Sequence, residues 1–197
     1  MLTIAWDVDD VLNDLMRTWF EAEWLTRYPL CEISYNDISA NPPHGLLGVS
    51  QEEYLCSLDR FRQSDAYLAM EPVGPVMEWF RSYGERFRHI AVTAVPRTAA
   101  HRSAQWAIGR FGDWIRTFHF VPSARPGATI PAYDRGKGEF LRWLGRADVF
   151  IDDDEGNIAS ADGLDVRCLL FPRPWNGAAG KTIEEALDGL SRMLMDK

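Results

Sequence analysis

The sequence is poor in the residues that staple, anchor or coat a protein. Its 197 residues hold three cysteines, Cys31, Cys56 and Cys168, an odd number with no C-x-x-C pair. That spacing excludes a disulfide framework and a cysteine zinc site, and it reads as reduced thiols. The four histidines, His44, His89, His101 and His119, lack H-x-x-x-H spacing and read as structural or surface residues. Cationic runs are missing too: 21 Lys+Arg face 29 Asp+Glu, for a formal charge of −8. Without clustered cations to neutralise phosphates, a general nucleic-acid or anionic-membrane binder is disfavoured. No run approaches the ~18 apolar residues of a bilayer span, and Met1 to Trp6 lacks the basic start and long apolar run of a signal peptide. A soluble cytoplasmic protein is the expectation. There is no internal repeat and no low-complexity tract. With 46% hydrophobic and 25% charged residues the composition is globular, and the length suffices for a core without disulfides.

What is present is a set of short apolar runs, rich in Val, Ile and Phe, that end at turn or acidic residues: Leu2 to Val8, Arg88 to Val95, Thr117 to Val121, Asp148 to Ile151 and Val166 to Phe171. Each is too short for a helix and apolar on both parities, as strands covered on both faces of a parallel sheet must be. Helical patterns with readable ends lie between them. Pro75 opens Val76 to Tyr83 and Gly84 closes it; Thr98 precedes a stretch ending at Gly112; Gly138 to Leu144 stops at Gly145. A capping box, Thr182 and Glu185, starts the last helix, with Ile183, Ala186, Leu187, Leu190 and Leu194 on one face. This alternation predicts an α/β fold with a doubly wound, Rossmann-like parallel sheet.

The interval after the first strand breaks the alternation. Asp14 to Arg27 reads as helix, Ser34 to Gly48 as a polar loop, and a capping box at Ser50 and Glu53 opens Gln51 to Phe61. Glu71-Pro72-Val73-Gly74-Pro75 reads as the return linker. The expected organisation is a core domain of residues 1–13 and 72–197 with a small helical cap, 14–71, placed to cover the carboxyl ends of the strands, where ligands of open α/β sheets bind.

Two strand ends are acidic. The first carries Asp7-Val8-Asp9-Asp10-Val11-Leu12, and the fourth runs into Asp152-Asp153-Asp154-Glu155. Carboxylates so close repel one another, which favours a bound cation or raised pKa values. Neither is a calcium loop: Val11 would occupy a ligand position and Leu12 the required glycine, and in the second cluster Ile158 and Leu164 fall on the glycine and the bidentate acid. Hard oxygen ligands from two strand ends suit Mg²⁺, which takes one or two carboxylates and binds substrate phosphate. Thr93 ends the second apolar run, leaving its hydroxyl and the backbone N–H groups that follow, from Ala94 on, able to hold phosphate oxygens. Lys137, between Gly136 and Gly138, starts a helix ahead of the second acidic strand and can add positive charge among the acids.

With Asp7-x-Asp9, Thr93, Lys137 and Asp152-Asp153 on successive strand ends, the chain resembles a haloacid dehalogenase (HAD) superfamily phosphatase. Met70-Glu71-Pro72 and Phe171-Pro172-Arg173-Pro174-Trp175-Asn176 make it most similar to the 5'(3')-deoxyribonucleotidase-like group. The resemblance implies a HAD-type core with a cap after the first strand. It implies that Asp7 is the nucleophile, forming an aspartyl-phosphate, and that Asp9 protonates the leaving oxygen and then deprotonates the attacking water, roles that nucleophilic and acid–base chemistry also favour. Mg²⁺ would be held by Asp7, the Asp9 backbone carbonyl and Asp152, with Asp153 as a second ligand or its support. Thr93, Ala94 and Lys137 would bind phosphate.

The expected activity is therefore a Mg²⁺-dependent phosphomonoesterase acting on a small phosphorylated metabolite, foremost a nucleoside monophosphate. Two positions depart from the nucleotidase pattern: Leu15 follows Asp14 where an aromatic commonly stacks on the base, and Ala94 stands where a serine often follows the threonine. A sugar-phosphate phosphatase and a non-catalytic binding protein are the alternatives, and a homodimer is left open. Among the aromatics, Trp6, Trp79, Trp106 and Trp143 read as core, while Trp19, Trp24, Tyr35 and Tyr67 of the cap are the candidates to touch substrate.

Overall fold

The structure, a computed structural model, describes residues 1–127, 129, 131 and 133–195. Five parallel strands form one sheet in the order β3-β2-β1-β4-β5: β1 Thr3–Trp6, β2 Arg88–Val95, β3 Ile115–Pro122, β4 Val149–Asp152 and β5 Arg167–Leu170. The expected parallel α/β sheet is thus the observed one. β1 is central, with Ile4 beside His89 of β2 and beside Val149 of β4. The chain winds outward from β1 through β2 and β3, then restarts at β4 on the other side, so the crevice between the carboxyl ends of β1 and β4 is the switch point where such sheets bind ligands.

Successive residues of a strand face opposite ways, and the core divides accordingly. Ile4, Trp6, Ala91, Val149 and Ile151 pack with Val76, Trp79 and Phe80 of α5 (Gly74–Tyr83), Trp106 and Phe111 of α6 (Ala100–Phe111), and Leu187, Leu190 and Leu194 of α9 (Ile183–Met195). Ala5, Ile90, Val92 and Phe150 pack with Phe140 and Leu141 of α7 (Lys137–Leu144) and Ala161 after α8 (Glu155–Ser160). The caps work as their residue types dictate: Thr182 Oγ1 accepts from the Glu185 N–H at 3.1 Å while Glu185 accepts from the Thr182 N–H at 2.8 Å, and α7 ends on Gly145 at φ 63°. The short α8 had no counterpart in the sequence reading; Asp154 caps it, accepting from the Asn157 N–H at 2.8 Å. Trp143, read as core, is 77% exposed on the outer face of α7 and corrects that expectation, whereas Trp6, Trp79 and Trp106 are buried.

Between β1 and β2 the chain is helical, with no strand among the described residues there: α1 Leu15–Trp19 continues through a π-helical turn, Phe20–Trp24, into α2 Leu25–Arg27, and α3 Gln51–Arg62 is followed by α4 Asp65–Ala69. An antiparallel bridge between Asn13 and Pro72, with the Val73 N–H on the Leu12 carbonyl at 2.9 Å, draws the two ends of the insertion together. Trp19, Phe20, Trp24, Tyr54 and Phe61 give it an aromatic interior continuous with the face of the sheet that carries Trp6. Cys31, Cys56 and Cys168 are unpaired, as expected. No helix among the described residues is long and apolar enough to cross a membrane.

Candidate active site

β1 stops at Trp6, and the Asp7 N–H closes onto the Ile151 carbonyl of β4 at 2.9 Å, which sets the first acidic turn beside the second. Asp7, Asp152 and Asp153 each offer a carboxylate oxygen within 4.8 Å of the others, and all three are buried. Lys137 lies among them, its Nζ 2.7 Å from Asp7 Oδ1 and 2.6 Å from Asp152 Oδ2. Gly138 makes that placement possible: a Cβ there would stand 2.0 Å from the Ser160 carbonyl oxygen, so only glycine lets the first turn of α7 lie against α8. Three buried carboxylates against one ammonium leave the cluster two charges short of neutral. Burial pushes the Asp7 carboxyl well above its ordinary range; Lys137 opposes that, and Asp152 and Asp153 reinforce it. For Lys137, burial alone would lower the pKa, but Asp152 and Asp7 outweigh it and hold the ammonium charged.

Each acid has a different neighbourhood. Asp7 Oδ1 accepts from Lys137 and from the Val8 N–H at 2.7 Å, while its Oδ2 has no partner among the described residues. Asp152 is fully engaged: Oδ1 accepts from the Asp154 N–H at 2.9 Å and Asn157 Nδ2 at 3.1 Å, and Oδ2 takes Lys137. Among the described residues, the Asp153 carboxylate accepts only the Trp175 indole N–H, on Oδ2 at 2.9 Å. Thr93, at the end of β2, is wholly buried and its hydroxyl has no hydrogen-bond partner among the described residues. A cleft of about 310 Å³ brings together Asp7, Asp9, Thr93, Ala94, Lys137 and Asp153, with Asp152 behind them.

The Asp9 carboxylate is separate from the cluster. It accepts from Arg62 Nε at 3.1 Å, the Tyr67 hydroxyl at 2.9 Å and Asn13 Nδ2 at 3.2 Å. Burial and the Asp9 charge hold the Tyr67 phenol well above its ordinary pKa, which keeps it a donor. Of the cap aromatics expected to touch substrate, Trp19, Trp24, Tyr35 and Tyr67 are buried and none lines the cleft; Tyr54 is the aromatic that does. Nothing in the sequence marks Arg62, and Tyr67, expected to touch substrate, instead donates to Asp9; for both the partner lies more than fifty residues away.

Phe171 to Asn176, which the sequence offers only as part of the family resemblance, has a structural role. Asp10 takes φ 62°, a left-handed turn uncommon for a residue with a side chain, and Arg173 Nε donates to its carbonyl at 2.6 Å. The same guanidinium pairs with Asp14, and Asn176 Nδ2 donates to the Asp153 carbonyl at 2.8 Å. One segment after β5 therefore fastens both acidic turns. Burial raises the Asp10 carboxyl to about 7, with Arg173 and the Met16 N–H acting against it.

No protein-family model matches the chain, and no curated protein matches it. Solved structures do. A haloacid dehalogenase-like hydrolase of Streptococcus pneumoniae aligns at TM-score 0.61 and 13% identity over 98% of each chain. A HAD-superfamily hydrolase of subfamily IA from Geobacter sulfurreducens aligns at TM-score 0.54 and 13% identity over 96% of each. A HAD family hydrolase from Deinococcus radiodurans, with bound phosphate and sodium, aligns at TM-score 0.55 and 17% identity over 97% of this chain and 87% of that one. At such identities the likeness is one of fold: with its five-stranded parallel sheet and flanking helices, the chain has the HAD-like α/β fold.

Proposed function

We propose that the protein is a Mg²⁺-dependent phosphomonoesterase that forms an aspartyl-phosphate on Asp7. The observation that carries this reading is the meeting, in one cleft, of an Asp7 oxygen and a buried Thr93 hydroxyl that both lack a partner among the described residues. A buried hydroxyl without a partner costs free energy unless something that binds there satisfies it. A phosphate oxygen on Thr93 and Lys137 would bring phosphorus to Asp7 Oδ2. The Deinococcus structure of the same fold, with its bound phosphate, supports the reading.

The metal assignment rests on the donor set. Hard carboxylate oxygens, buried together and two charges short of neutral, match a divalent cation, and Mg²⁺ is the natural one. Asp7 and Asp153, each with an oxygen not taken by the protein, would hold it with the Asp9 backbone carbonyl, while Asp152 orients Lys137. When bound, the ion would screen the nucleophile from the phosphate charge and polarise the phosphoryl group.

Two displacements then follow. Asp7 Oδ2 attacks phosphorus, the P–O ester bond breaks, and the leaving oxygen takes a proton from Asp9 to depart as the alcohol. Water next attacks the aspartyl-phosphate, gives its proton to Asp9, and the acyl-phosphate P–O bond breaks to release inorganic phosphate and the Asp7 carboxylate. Thr93, the backbone N–H groups that follow it and Lys137 hold the phosphoryl oxygens throughout.

The cleft favours a sugar phosphate or other small ester over a nucleotide. Its wall combines Gln51 and Asn41, suited to hydroxyls, with Tyr54 as its one aromatic among the described residues. Phosphate release with Mg²⁺ across nucleotides, sugar phosphates and p-nitrophenyl phosphate is the test, with Asp7→Asn as control. Turnover should be highest on a non-nucleotide ester and absent in the variant. Robust activity in Asp7→Asn would refute the nucleophile; a preference for nucleotides would restore the nucleotidase reading; no hydrolysis of any ester would favour a binding protein.

A further inference from the structure

Asp9 is held by the insertion. Arg62, in the last turn of α3, reaches Asp9 Oδ2 with Nε and Nη2, both at 3.1 Å, and Tyr67 of α4 donates to Oδ1 at 2.9 Å. Among the described residues, only Asn13, at 3.2 Å on Oδ1, comes from outside those helices. Arg62 does not stand alone. Its Nη1 lies 3.3 Å from Asp59 Oδ1, and Asp59 in turn accepts from Arg125 Nε at 2.6 Å and Nη2 at 2.8 Å. Arg125 sits on the loop after β3, so a chain of alternating charges, Asp9, Arg62, Asp59 and Arg125, leaves the sheet, crosses the insertion and returns to the sheet along one wall of the cleft.

The side chains of Asp9 and Arg62 are 10% exposed, and those of Asp59 and Arg125 are 18% exposed. Pairs this far from water fix geometry, because a charge that drifts from its partner is left unsolvated. Between them, Arg62 and Tyr67 fix both oxygens of the Asp9 carboxyl, and a proton-transfer group acts only from a fixed position within hydrogen-bond reach of the leaving oxygen.

We propose that Arg62 and Tyr67 are positioning residues for proton transfer: they fix where the Asp9 carboxyl stands relative to the leaving oxygen, so the inserted helices serve the chemistry as well as covering the cleft. The proposal rests on the phosphomonoesterase reading and on Asp9 as its proton-transfer group. Its signature is dependence on the leaving group. An alkyl ester needs the proton as the P–O bond breaks, whereas p-nitrophenolate leaves without one.

The test compares kcat and KM on p-nitrophenyl phosphate and on the best alkyl phosphate of the substrate panel, with Mg²⁺, for wild type, Arg62→Met, Arg62→Lys and Tyr67→Phe. Arg62→Met should lower kcat on the alkyl ester by about 100-fold, the low end of acid–base contributions. On p-nitrophenyl phosphate its kcat should change only a few-fold, with KM near wild type on both. Arg62→Lys should recover part of the loss. Tyr67→Phe, which removes one hydroxyl and keeps the ring, should show the same selective loss at about 10-fold, one good hydrogen bond to a charge, and it serves if Arg62→Met does not fold. Equal losses on the two esters would assign Arg62 to scaffold support, and a raised KM at unchanged kcat would assign it to substrate binding; either overturns the proposal. Failure of wild type to hydrolyse either ester would instead refute the phosphomonoesterase reading beneath it.

Discussion

Trp6 and Asp7 are neighbours in the chain, and the two sides of that peptide bond obey different rules. Trp6 is buried against Phe80, with ring centroids 4.8 Å apart, and Trp79, at 5.4 Å. Its one polar atom donates to His89 Nδ1 at 3.0 Å, which puts the ring proton on Nε2, 2.8 Å from the Gly84 carbonyl. Every polar group in that corner is matched. Asp7 is nearly as buried, yet it joins a cluster whose carboxylates outnumber its ammonium and whose neighbouring threonine hydroxyl is unmatched. The flanking strands repeat the change, from Val92 to Thr93 on β2 and from Ile151 to Asp152 on β4. The interior of the sheet is complete in itself, whereas its carboxyl edge leaves negative charge and a hydroxyl unmatched among the described residues. Perturbed titratable groups collect at functional sites for this reason.

The sharpest way to break the comparison is to take the ammonium out of the cluster. Lys137→Met takes the opposing charge from the buried carboxylates, and removing one side of a buried ion pair costs about 3–5 kcal/mol. Denaturant unfolding in EDTA should show a loss of that size, part of which Mg²⁺ restores. A loss within about 0.5 kcal/mol, the range of an ordinary surface substitution, would mean that the cluster is not electrostatically strained.

Next in size is a pH effect whose sign differs between the two regions. Burial pushes His89 down from 6.5 to about 4, against the pull of the Gly84 carbonyl. Since the folded value lies below the unfolded one, its contribution is fully present above pH 6.5 and is lost as the pH falls to about 4, roughly 3 kcal/mol in all. The site carboxyls run the other way. With Asp10 raised to about 7, the metal-free protein loses stability as the pH rises from the ordinary carboxylate range to 7. In EDTA, His89→Gln, which keeps a donor and an acceptor, should abolish the loss on the acid side and leave stability that declines from about pH 4 to pH 7. An unchanged profile of midpoint denaturant concentration against pH would show that His89 is not the group responsible. Smaller again is Trp6→Phe, which keeps an aromatic ring and removes the donor to His89. It should cost about 1–3 kcal/mol, the penalty of an unsatisfied buried acceptor, without changing the stabilisation by Mg²⁺.

How far these regions were legible in the sequence follows from the range of the interactions that build them. β2 was expected over Arg88 to Val95 and spans those residues, because a run apolar on both parities between turns admits no other packing. The meeting of Asp7 with Asp152 and Asp153 was readable because both acidic runs end parallel strands. α8 was not, since six residues with Ile158 as their one large apolar side chain carry no periodicity. Trp143 lies at helical spacing from Phe140, but Phe140 and Leu141 take the buried face of α7 and leave it outside. Trp19, Trp24, Tyr35 and Tyr67 were expected near substrate; a small helical insertion needs large side chains for its own interior, and they fill it. Arg62 had no local signal, because an arginine in a helix's last turn reads as a favourable dipole contact until the fold brings Asp9 to it.

The smallest predicted effect is a gain. Burial raises the Asp153 carboxyl well above its ordinary range, Asp10 and Asp152 add to the rise, and Lys137 and the Trp175 N–H oppose it. Asp153→Asn removes that charge and keeps an oxygen to accept from the Trp175 indole. In EDTA the variant should be more stable than wild type by about 0.5–2 kcal/mol, the gain typical when a strained functional position is relaxed. With Mg²⁺ the order should reverse, because an amide oxygen is a weaker ligand for a hard cation than a carboxylate. Thermal unfolding of both proteins, with and without Mg²⁺, reads the two signs in one experiment. If Asp153→Asn destabilised the metal-free protein as a substitution at Trp6 does, the carboxyl edge would be as self-sufficient as the aromatic corner beneath it, and the contrast between Trp6 and Asp7 would reflect polarity alone rather than a site built around a missing charge.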